Sequence, residues 1–342
     1  MEIAKPVKLL SLSAAVATAA MVSAPQVSAQ EASLRLHTFV PAVARSFKNL
    51  DWWAKKVEKE SNNRIQIKLF PSRQLGGKPS ELYDQARKGF VDVIYSLPGY
   101  TPGRFPRLEV VELPFVSGHS PKIIAPAIWS MYDKWFSKDF PDTHPIVLHA
   151  PGPFGLFSHK PINSLDDLKG LKIRVSGRTL GQSFKAIGAT PVGIPGIKMA
   201  EAFQRNVIDA VYTAWTISLP TKIVRVAKHY AMPGLSSGVL MVIMNKDSYN
   251  KLPADLKKVI DNNSGAALAK EYGERWHNDD TPALNVAKKS GKPMYVFSDS
   301  DKKRWAAASE KVVEGWIADM KKKGIDGAAL LADMKAAVKK FQ

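Results

Sequence analysis

The chain has 342 residues, of which 45% are hydrophobic, and its 49 Lys and Arg outnumber 31 Asp and Glu, giving a formal net charge of +18. This length predicts about two domains with a substantial core, and a charged fraction of 23% with eight Trp excludes a disordered, collagen-like or coiled-coil chain. The absence of cysteine excludes disulfides, thiolate metal sites and cysteine nucleophiles.

The first thirty residues have the pattern of a secretory signal peptide. Lys5 and Lys8 precede an apolar stretch over residues 9–22, and small residues at the end of the segment predict cleavage after Ala29. A membrane anchor is the alternative, but the apolar stretch is shorter than the roughly twenty residues that a span needs. We therefore expect residues 1–29 to be removed and the mature protein to be exported to the periplasm.

The excess of positive charge favours anionic ligands. The Lys and Arg residues are scattered along the chain. Pairs such as Lys55-Lys56 and Lys257-Lys258 lie beside apolar positions with helical spacing, which is typical of solvated helix faces. Zinc-finger spacing, an RNA-binding sheet motif and a basic arm are all missing from the sequence. We expect no nucleic-acid partner.

Strands and helices alternate over the first hundred residues. Period-two or compact apolar patterns predict strands at residues 34–39, 65–70 and 91–95. Helical spacing predicts helices at residues 44–60 and 79–88. This order favours an α/β fold with a mainly parallel sheet, in which ligands bind beyond the carboxyl ends of the strands. Candidate site loops therefore follow Leu36, Phe70 and Ile94, and they contain Phe39, Gln74, Tyr95 and Tyr100.

A second series begins near residue 145. Strands are predicted at residues 145–149, 155–158, 171–175, 190–193, 208–212 and 238–245. Helices are predicted at residues 179–188 and 198–205. Two α/β domains, with the chain crossing between them, fit this pattern best.

Helical periodicity dominates the rest of the chain. Residues 253–290 predict either one long helix linking both domains or two helices that break near Pro282. Residues 298–342 predict two further helices separated by residues 324–327.

Motifs for catalysis and cofactors are weak. Residues 234–238 match the serine nucleophile elbow around Ser236, but a predicted strand follows the serine where the elbow needs a helix. The seven His residues show no metal-binding spacing, and no glycine-rich phosphate loop is present. We expect no metal, no cofactor and no enzymatic activity; a secreted hydrolase using Ser236 is the alternative.

Arginine in strand and turn positions is the clearest chemical signal. Arg174 lies between Ile173 and Val175 in an apolar strand, and a buried arginine needs an anionic partner. That partner is either a ligand carboxylate or an internal carboxylate, and an exposed alternating strand is a third possibility. Arg178 adds a second cation near the start of the next helix.

Several motifs, in order and at similar spacing, resemble one known family. The stretches are Phe70-Pro-Ser-Arg-Gln-Leu-Gly76, Gly89-Phe-Val-Asp-Val93, Glu112-Leu-Pro-Phe115, Lys160-Pro-Ile162, Leu168-Lys-Gly-Leu-Lys-Ile-Arg-Val175, Gly188-Ala-Thr-Pro-Val192, Glu201-Ala-Phe-Gln204 and Val207-Ile-Asp209. On these motifs, the chain resembles the extracytoplasmic solute-binding proteins of tripartite ATP-independent periplasmic (TRAP) transporters.

The resemblance implies a periplasmic-binding-protein-like α/β fold of two lobes joined by a hinge, with a long helix spanning both. Lobe I would contain residues 30–152 and about 238–280, and lobe II residues 153–237 and about 281–342. The family's carboxylate-binding arginine corresponds to Arg174.

The sequence departs from better-known members at Asp209-Ala-Val-Tyr-Thr-Ala-Trp215, where many members carry Asp-Gly followed by a polar residue and Asn. Thr213 would take the place of that Asn, and Arg178 and Trp215 indicate a branch with a second arginine and an aromatic residue at the pocket. An apolar wall, or alternatively ordinary core, is formed by Trp215, Phe154, Phe157, Tyr95 and Tyr100.

We therefore expect a monomeric solute-binding subunit of a TRAP transporter that captures an organic acid anion and delivers it to the small and large membrane permease subunits. Presentation of the ligand to a membrane sensor is one alternative, and pairing with an ATP-driven permease is another.

Overall fold

The computed structural model of the protein describes residues 1–3 and 30–342, so the predicted signal peptide and its cleavage after Ala29 lie outside the described residues. The strands are β1 (Ala32–Thr38), β2 (Ile65–Phe70), β3 (Val93–Ser96), β4 (Thr143–His149), β5 (Gly155–Ser158), β6 (Lys172–Val175), β7 (Thr190–Gly193), β8 (Ala210–Thr213), β9 (His229–Met232), β10 (Leu240–Asn245) and β11 (Met294–Val296). The helices are α1 (Arg45–Glu60), α2 (Leu82–Arg87), α3 (Pro121–Ser130), α4 (Arg178–Lys185), α5 (Gly196–Gln204), α6 (Trp215–Ser218), α7 (Ile223–Val226), α8 (Lys246–Asn250), α9 (Ala254–Asn262), α10 (Gly265–Lys289), α11 (Asp299–Ala308), α12 (Glu310–Lys322) and α13 (Gly327–Lys340).

The strands form two sheets, one in each half of an α/β architecture of two lobes. The first sheet has the order β2-β1-β3-β10-β4, and the second has the order β11-β9-β5-β8-β6-β7. Both are mixed, which corrects the expectation of a mainly parallel sheet. In the first sheet β10 is antiparallel to β3 and β4, and in the second β5 is antiparallel to β8 and β9. The chain passes directly from β4 of the first sheet to β5 of the second, and from β9 of the second sheet to β10 of the first. In both cases the first strand after the crossing is antiparallel to its neighbours.

The predicted strands are all present, and each begins within two residues of its expected start. Apolar side chains on the inner faces of both sheets belong to one buried cluster, which continues from Leu36 and Val242 of the first sheet to Ile173 and Ala210 of the second. A second cluster covers the other face of the second sheet and includes Phe157 and Trp215.

The C-terminal half differs from the prediction in two places. Helix α9 ends at Asn262 and α10 continues through Pro282, so the expected alternative of a break near Pro282 is wrong. Helix α10 contacts α3 and β4 beside the first sheet and α6 and α7 beside the second, as a linking helix would. The tail holds three helices where two were expected, because α11 ends and α12 begins at Ser309. None of the helices in the described part of the chain is long and apolar enough to cross a membrane.

Candidate functional site

A cavity lies between the two sheets, where loops at the carboxyl ends of strands from both of them meet. Its lining residues are Phe39, Val40, Ser46, Tyr95, Leu97, Tyr100, Pro151, Phe154, Arg174, Ser176, Gly196, Met199, Thr213, Ala214, Ile217, Gly238, Leu240 and Trp276. About 60 Å³ of it is open to the centre of a water molecule. Because one water needs roughly 10–15 Å³ on this measure, the cavity has room for several waters or for a small organic molecule.

Arg174 is the one charged residue among the described residues that line this cavity. It lies on β6 with 2% of its surface exposed. Its Nε donates to the Ile194 carbonyl at 2.7 Å, and its Nη1 donates to the Tyr212 carbonyl at 3.3 Å. Two backbone acceptors therefore fix the guanidinium, and neither supplies a negative charge.

The guanidinium of Arg174 is balanced by no carboxylate among the described residues. Burial lowers the pKa of Arg174, and only the nearby Tyr100 hydroxyl opposes this effect. Arginine keeps its proton in proteins, so the guanidinium stays charged despite its burial. A buried cation without a counter-charge is costly, and a ligand carboxylate entering the cavity would remove that cost.

Tyr100 connects the two halves of the molecule at this point. It ends the short 3-10 helix Pro98–Tyr100 that follows β3, and its hydroxyl accepts a hydrogen bond of 3.1 Å from the Gly196 backbone N–H, at the start of α5. A Cβ at residue 196 would lie 3.2 Å from that hydroxyl and 3.9 Å from Nη2 of Arg174. Glycine at residue 196 therefore leaves space beside the guanidinium.

Aromatic rings form much of the rest of the wall. Phe39 is stacked parallel to Tyr95, with 6.5 Å between ring centroids, and meets Tyr100 edge-on at 5.4 Å. Phe154 contributes a third apolar surface from the start of β5, and Thr213 lies at the end of β8. Phe39, Tyr95, Tyr100, Phe154, Arg174 and Thr213, six of the nine predicted site residues, thus come together in one cavity.

Trp215 and Phe157 lie outside the cavity, in the second core cluster. Their rings pack edge to face with 4.8 Å between centroids. Phe157 follows Phe154 by three positions, and residues an odd number apart on a strand face opposite sides. Helix α6 begins at Trp215, and the indole packs against Gly155 on the side of the sheet away from the cavity. A Cβ added at residue 155 would lie 2.6 Å from the indole ring.

Arg178 also lies away from the cavity. It is the first residue of α4, its side chain is 54% exposed, and its Nη2 lies 3.4 Å from Oδ2 of Asp319 on α12. Gln74, in the loop after β2, is likewise absent from the cavity lining. Neither residue is positioned by this structure to contact a molecule in the cavity.

Ser236 does not have the setting of a nucleophile. The residue is fully buried, and its Oγ donates to the Glu112 carbonyl at 3.3 Å. Strand β10 follows it, whereas the elbow motif requires a helix after the serine. In the described residues, no group of His, Asp and Glu side chains has the arrangement of a metal site.

Ser46, Ser176 and Trp276 line the cavity but were not predicted as site residues. Ser176 follows Arg174 by two positions, directly after the end of β6, so continuing the alternation of that strand could have indicated that it shares the face of Arg174. Ser46 on α1 and Trp276 on α10 come from helices far apart in the sequence. No local pattern could have placed them together.

Comparisons with known proteins show the family and the fold of the chain. The family model described as bacterial extracellular solute-binding protein, family 7 (DctP), matches residues 37–319. A marine metagenome TRAP solute-binding protein, described as specific for aromatic acid ligands and co-crystallised with 3-hydroxybenzoate, is 35% identical. The similarity covers 92% of this chain and 99% of that one, with a TM-score of 0.88.

Two further solved structures show the same fold. A TRAP solute-binding protein of Rhodoferax ferrireducens with copurified benzoate is 33% identical over 90% of this chain and 98% of that one, with a TM-score of 0.87. A TRAP periplasmic solute-binding protein of Bordetella bronchiseptica with bound mandelate is 26% identical over 91% and 99% of the two chains, with a TM-score of 0.83. This chain belongs to the family 7 extracellular solute-binding proteins, the family of TRAP transporter receptors that its sequence motifs resemble.

Proposed function

We propose that this protein captures a small organic acid, with aromatic monocarboxylates as the foremost class, and delivers it to the membrane subunits of a TRAP transporter. Arg174 would bind the carboxylate, and Phe39, Tyr95 and Phe154 would contact the apolar body of the ligand. The observation that carries the proposal is the buried guanidinium of Arg174, fixed by backbone carbonyls in a cavity with no carboxylate to balance it.

Charge and shape both support this class of ligand. A guanidinium binds a carboxylate through two parallel hydrogen bonds, which sets the orientation of the ligand as well as its affinity. The wall opposite offers ring faces in place of further cations, so it suits a hydrophobic body better than a second charge. The similar proteins described above were crystallised with 3-hydroxybenzoate, benzoate and mandelate, all of which are aromatic monocarboxylates.

We further propose that the protein works in the periplasm by closure of two lobes about the segments that cross between the sheets. Residues 30–152 with about 238–280 would move as lobe I, and residues 153–237 with about 281–342 as lobe II. The hydrogen bond from Gly196 to Tyr100 joins residues assigned to different lobes, so it would form only on closure. A ligand that contacts both lobes then stabilises the closed state.

Calorimetric titration of the mature protein tests the carboxylate site. Benzoate should bind and its neutral amide, benzamide, should not. Arg174→Ala should weaken benzoate binding by about thirtyfold or more, as expected for loss of a buried charged hydrogen-bond partner worth at least about 2 kcal/mol. The matched control is Arg178→Ala, which removes an exposed arginine outside the cavity and should leave binding within about twofold.

A thermal-shift screen extends the test to ligand identity and needs no variant. A ligand at about a thousand times its dissociation constant should raise the free energy of unfolding by roughly 4 kcal/mol, a shift of several degrees. Shifts by neutral aromatic compounds as large as those by acids would overturn the proposal. Loss of uptake of the same acid on deletion of the cognate permease genes would support delivery over presentation to a sensor.

A further inference from the structure

Four buried polar atoms of the cavity lining have no hydrogen-bond partner among the described residues, and one of them, Ser176 Oγ, lies two positions after Arg174. The other three lie on elements other than the strand of Arg174. They are Ser46 Oγ on α1, Tyr95 OH on β3 and Trp276 Nε1 on α10. Their residues are 2%, 1% and 3% exposed, and none of the three atoms has a hydrogen-bond partner among the described residues. A buried polar group left unpaired costs about 1–3 kcal/mol, so three such groups in one wall point to a ligand group that pairs with them.

The position of this trio, Ser46, Tyr95 and Trp276, differs from that of the arginine. Strand β3 belongs to the first sheet, and α1 follows β1 of the same sheet. The Trp276 ring of α10 lies 5.7 Å from the ring of His149 on β4, and Tyr95 stacks on the same His149 ring at 6.0 Å. Arg174 belongs to β6 of the second sheet. A ligand held by both must therefore carry one polar group for each side of the cavity.

The chemistry of the trio indicates a hydroxyl group. The indole N–H of Trp276 can only donate, whereas the hydroxyls of Ser46 and Tyr95 can donate or accept. A ligand hydroxyl can accept from the indole and donate to one of the two protein hydroxyls, which uses both of its capacities. Neutral donors and acceptors of this kind reject a ligand that lacks the hydroxyl, because they are then left unpaired.

A second carboxylate fits this side less well. Asp279, one turn beyond Trp276 on α10, is buried and accepts hydrogen bonds from Asn49 at 2.8 Å and Arg45 at 3.3 Å, which lie three residues after and one residue before Ser46 on α1. Arg45 is thus already engaged with Asp279. A second anionic group at the trio would approach the carboxylate of Asp279 with no free cation in the cavity wall to balance it.

We propose that the trio is a hydroxyl-binding subsite, and that the cavity selects acids that carry a hydroxyl group remote from the carboxylate over the same acids without it. This inference rests on the proposed function, since it assumes a carboxylate at Arg174. It adds the second recognition element that gives the ligand its orientation between the two sheets.

Matched ligand pairs test the subsite on the unaltered protein. 3-Hydroxybenzoate is compared with 3-methylbenzoate, and 4-hydroxybenzoate with 4-methylbenzoate, because methyl and hydroxyl groups are similar in size. In at least one pair the hydroxyl compound should bind about tenfold or more tightly, which corresponds to about 1.4 kcal/mol. Equal affinities within both pairs, with benzoate binding still dependent on Arg174, would overturn the subsite and leave the proposed function intact.

Variants then locate the effect. Tyr95→Phe and Ser46→Ala should each reduce the hydroxyl preference several-fold. Tyr272→Phe is the control, because Tyr272 is also buried with an unpartnered hydroxyl but does not line the cavity. Preservation of the full preference in both cavity variants would overturn the assignment. Failure of every acid to bind would instead overturn the proposed function, and the subsite with it.

Discussion

Glu112 and His149 are buried ionisable residues whose environments act on stability in opposite directions. Glu112 is 4% exposed, and burial is the main cause that raises its pKa from 4.5 to about 8. His149 is fully buried with no partner at either ring nitrogen among the described residues, and burial lowers its pKa to about 3. Both groups are therefore neutral in the folded protein over much of the range between pH 4 and 7.

Glu112→Gln should abolish the part of the wild-type protein's stability loss at rising pH that the buried Glu112 carboxyl causes. Between pH 4.5 and about 8 the folded protein keeps a proton on Glu112 that the unfolded chain has released, so the free energy of unfolding falls as pH rises. The full effect is on the order of a few kcal/mol. Urea titrations at several pH values should show the variant gaining stability relative to the wild type from pH 5 to pH 8. Parallel curves over this window would contradict the expectation.

His149→Phe should abolish a pH dependence of the opposite sign, in which the free energy of unfolding of the wild type decreases as pH falls. Between about pH 3 and pH 6.5 the unfolded chain binds a proton on His149 that the folded protein does not, so stability is lost as pH falls. The same titrations should show the variant gaining stability relative to the wild type as pH falls from 7 to 4, again by a few kcal/mol. A pH-independent difference would mean that the substitution acts through packing alone. The opposite slopes of the two variants serve as each other's control.

At the scale of single residues, the sequence predicted Arg174 because a charge between apolar strand positions is visible in one short stretch. It predicted Tyr95 for the pocket but not Ser46 or Trp276, which only the packing of α1 and α10 places in the same cavity. It also suggested Trp215 and Phe157 for the wall, because an aromatic residue near a strand end fits a core as well as a pocket. Which face such a ring occupies depends on where the strand stops, as α6 shows by beginning at Trp215.

Among the elements, α10 shows how tertiary contacts override a local signal. Proline lacks the N–H for the i−4 hydrogen bond and usually ends or kinks a helix, yet α10 continues for about two turns past Pro282. Two adjacent residues before it bind opposite sides of the molecule. Asp279 accepts from Asn49 on α1, and Asp280 accepts from the Thr216 backbone N–H on α6 at 2.8 Å. These contacts hold the helix to both halves of the molecule just before the proline, and sequence patterns alone do not contain them.

Gly273 tests the packing of α10 against α3. A Cβ at this position would lie 2.7 Å from the Pro121 carbonyl oxygen, a backbone atom that cannot move aside alone. Gly273→Ala should therefore reduce the free energy of unfolding by about 1–3 kcal/mol, as overpacked positions do. The matched control is Gly315→Ala in α12, where a Cβ meets no atom within 4 Å and alanine should stabilise by about 0.5–1 kcal/mol. Urea denaturation followed by circular dichroism measures both, and equal effects of the two substitutions would contradict the packing argument.

On the scale of the whole molecule, strand order along the sequence predicted an α/β fold but not mixed sheets. Strands β5 and β10 have apolar sequences that suit either direction, and their direction is decided by where the preceding chain comes from. The same crossings place residues from both sheets around the cavity. The loops after β1 and β3 reach it as expected, whereas the loop after β2 does not, because β2 lies at the edge of the first sheet.

The net charge of +18 makes a final prediction about capture of an anion by the proposed carboxylate site. Long-range attraction raises the rate of association of an anionic ligand, and salt screens it over about 10 Å at 0.1 M ionic strength. The dissociation rate reflects contacts with the buried wall of the cavity, where screening is weak. Stopped-flow measurement with benzoate should therefore show association slowing several-fold between about 0.02 and 0.5 M NaCl, while dissociation stays nearly constant. Replacement of Lys321, Lys322 and Lys323 by Gln should slow association at low salt only. If the dissociation rate changed with salt and the association rate did not, the electrostatic attraction would act in the bound state and the prediction would be wrong.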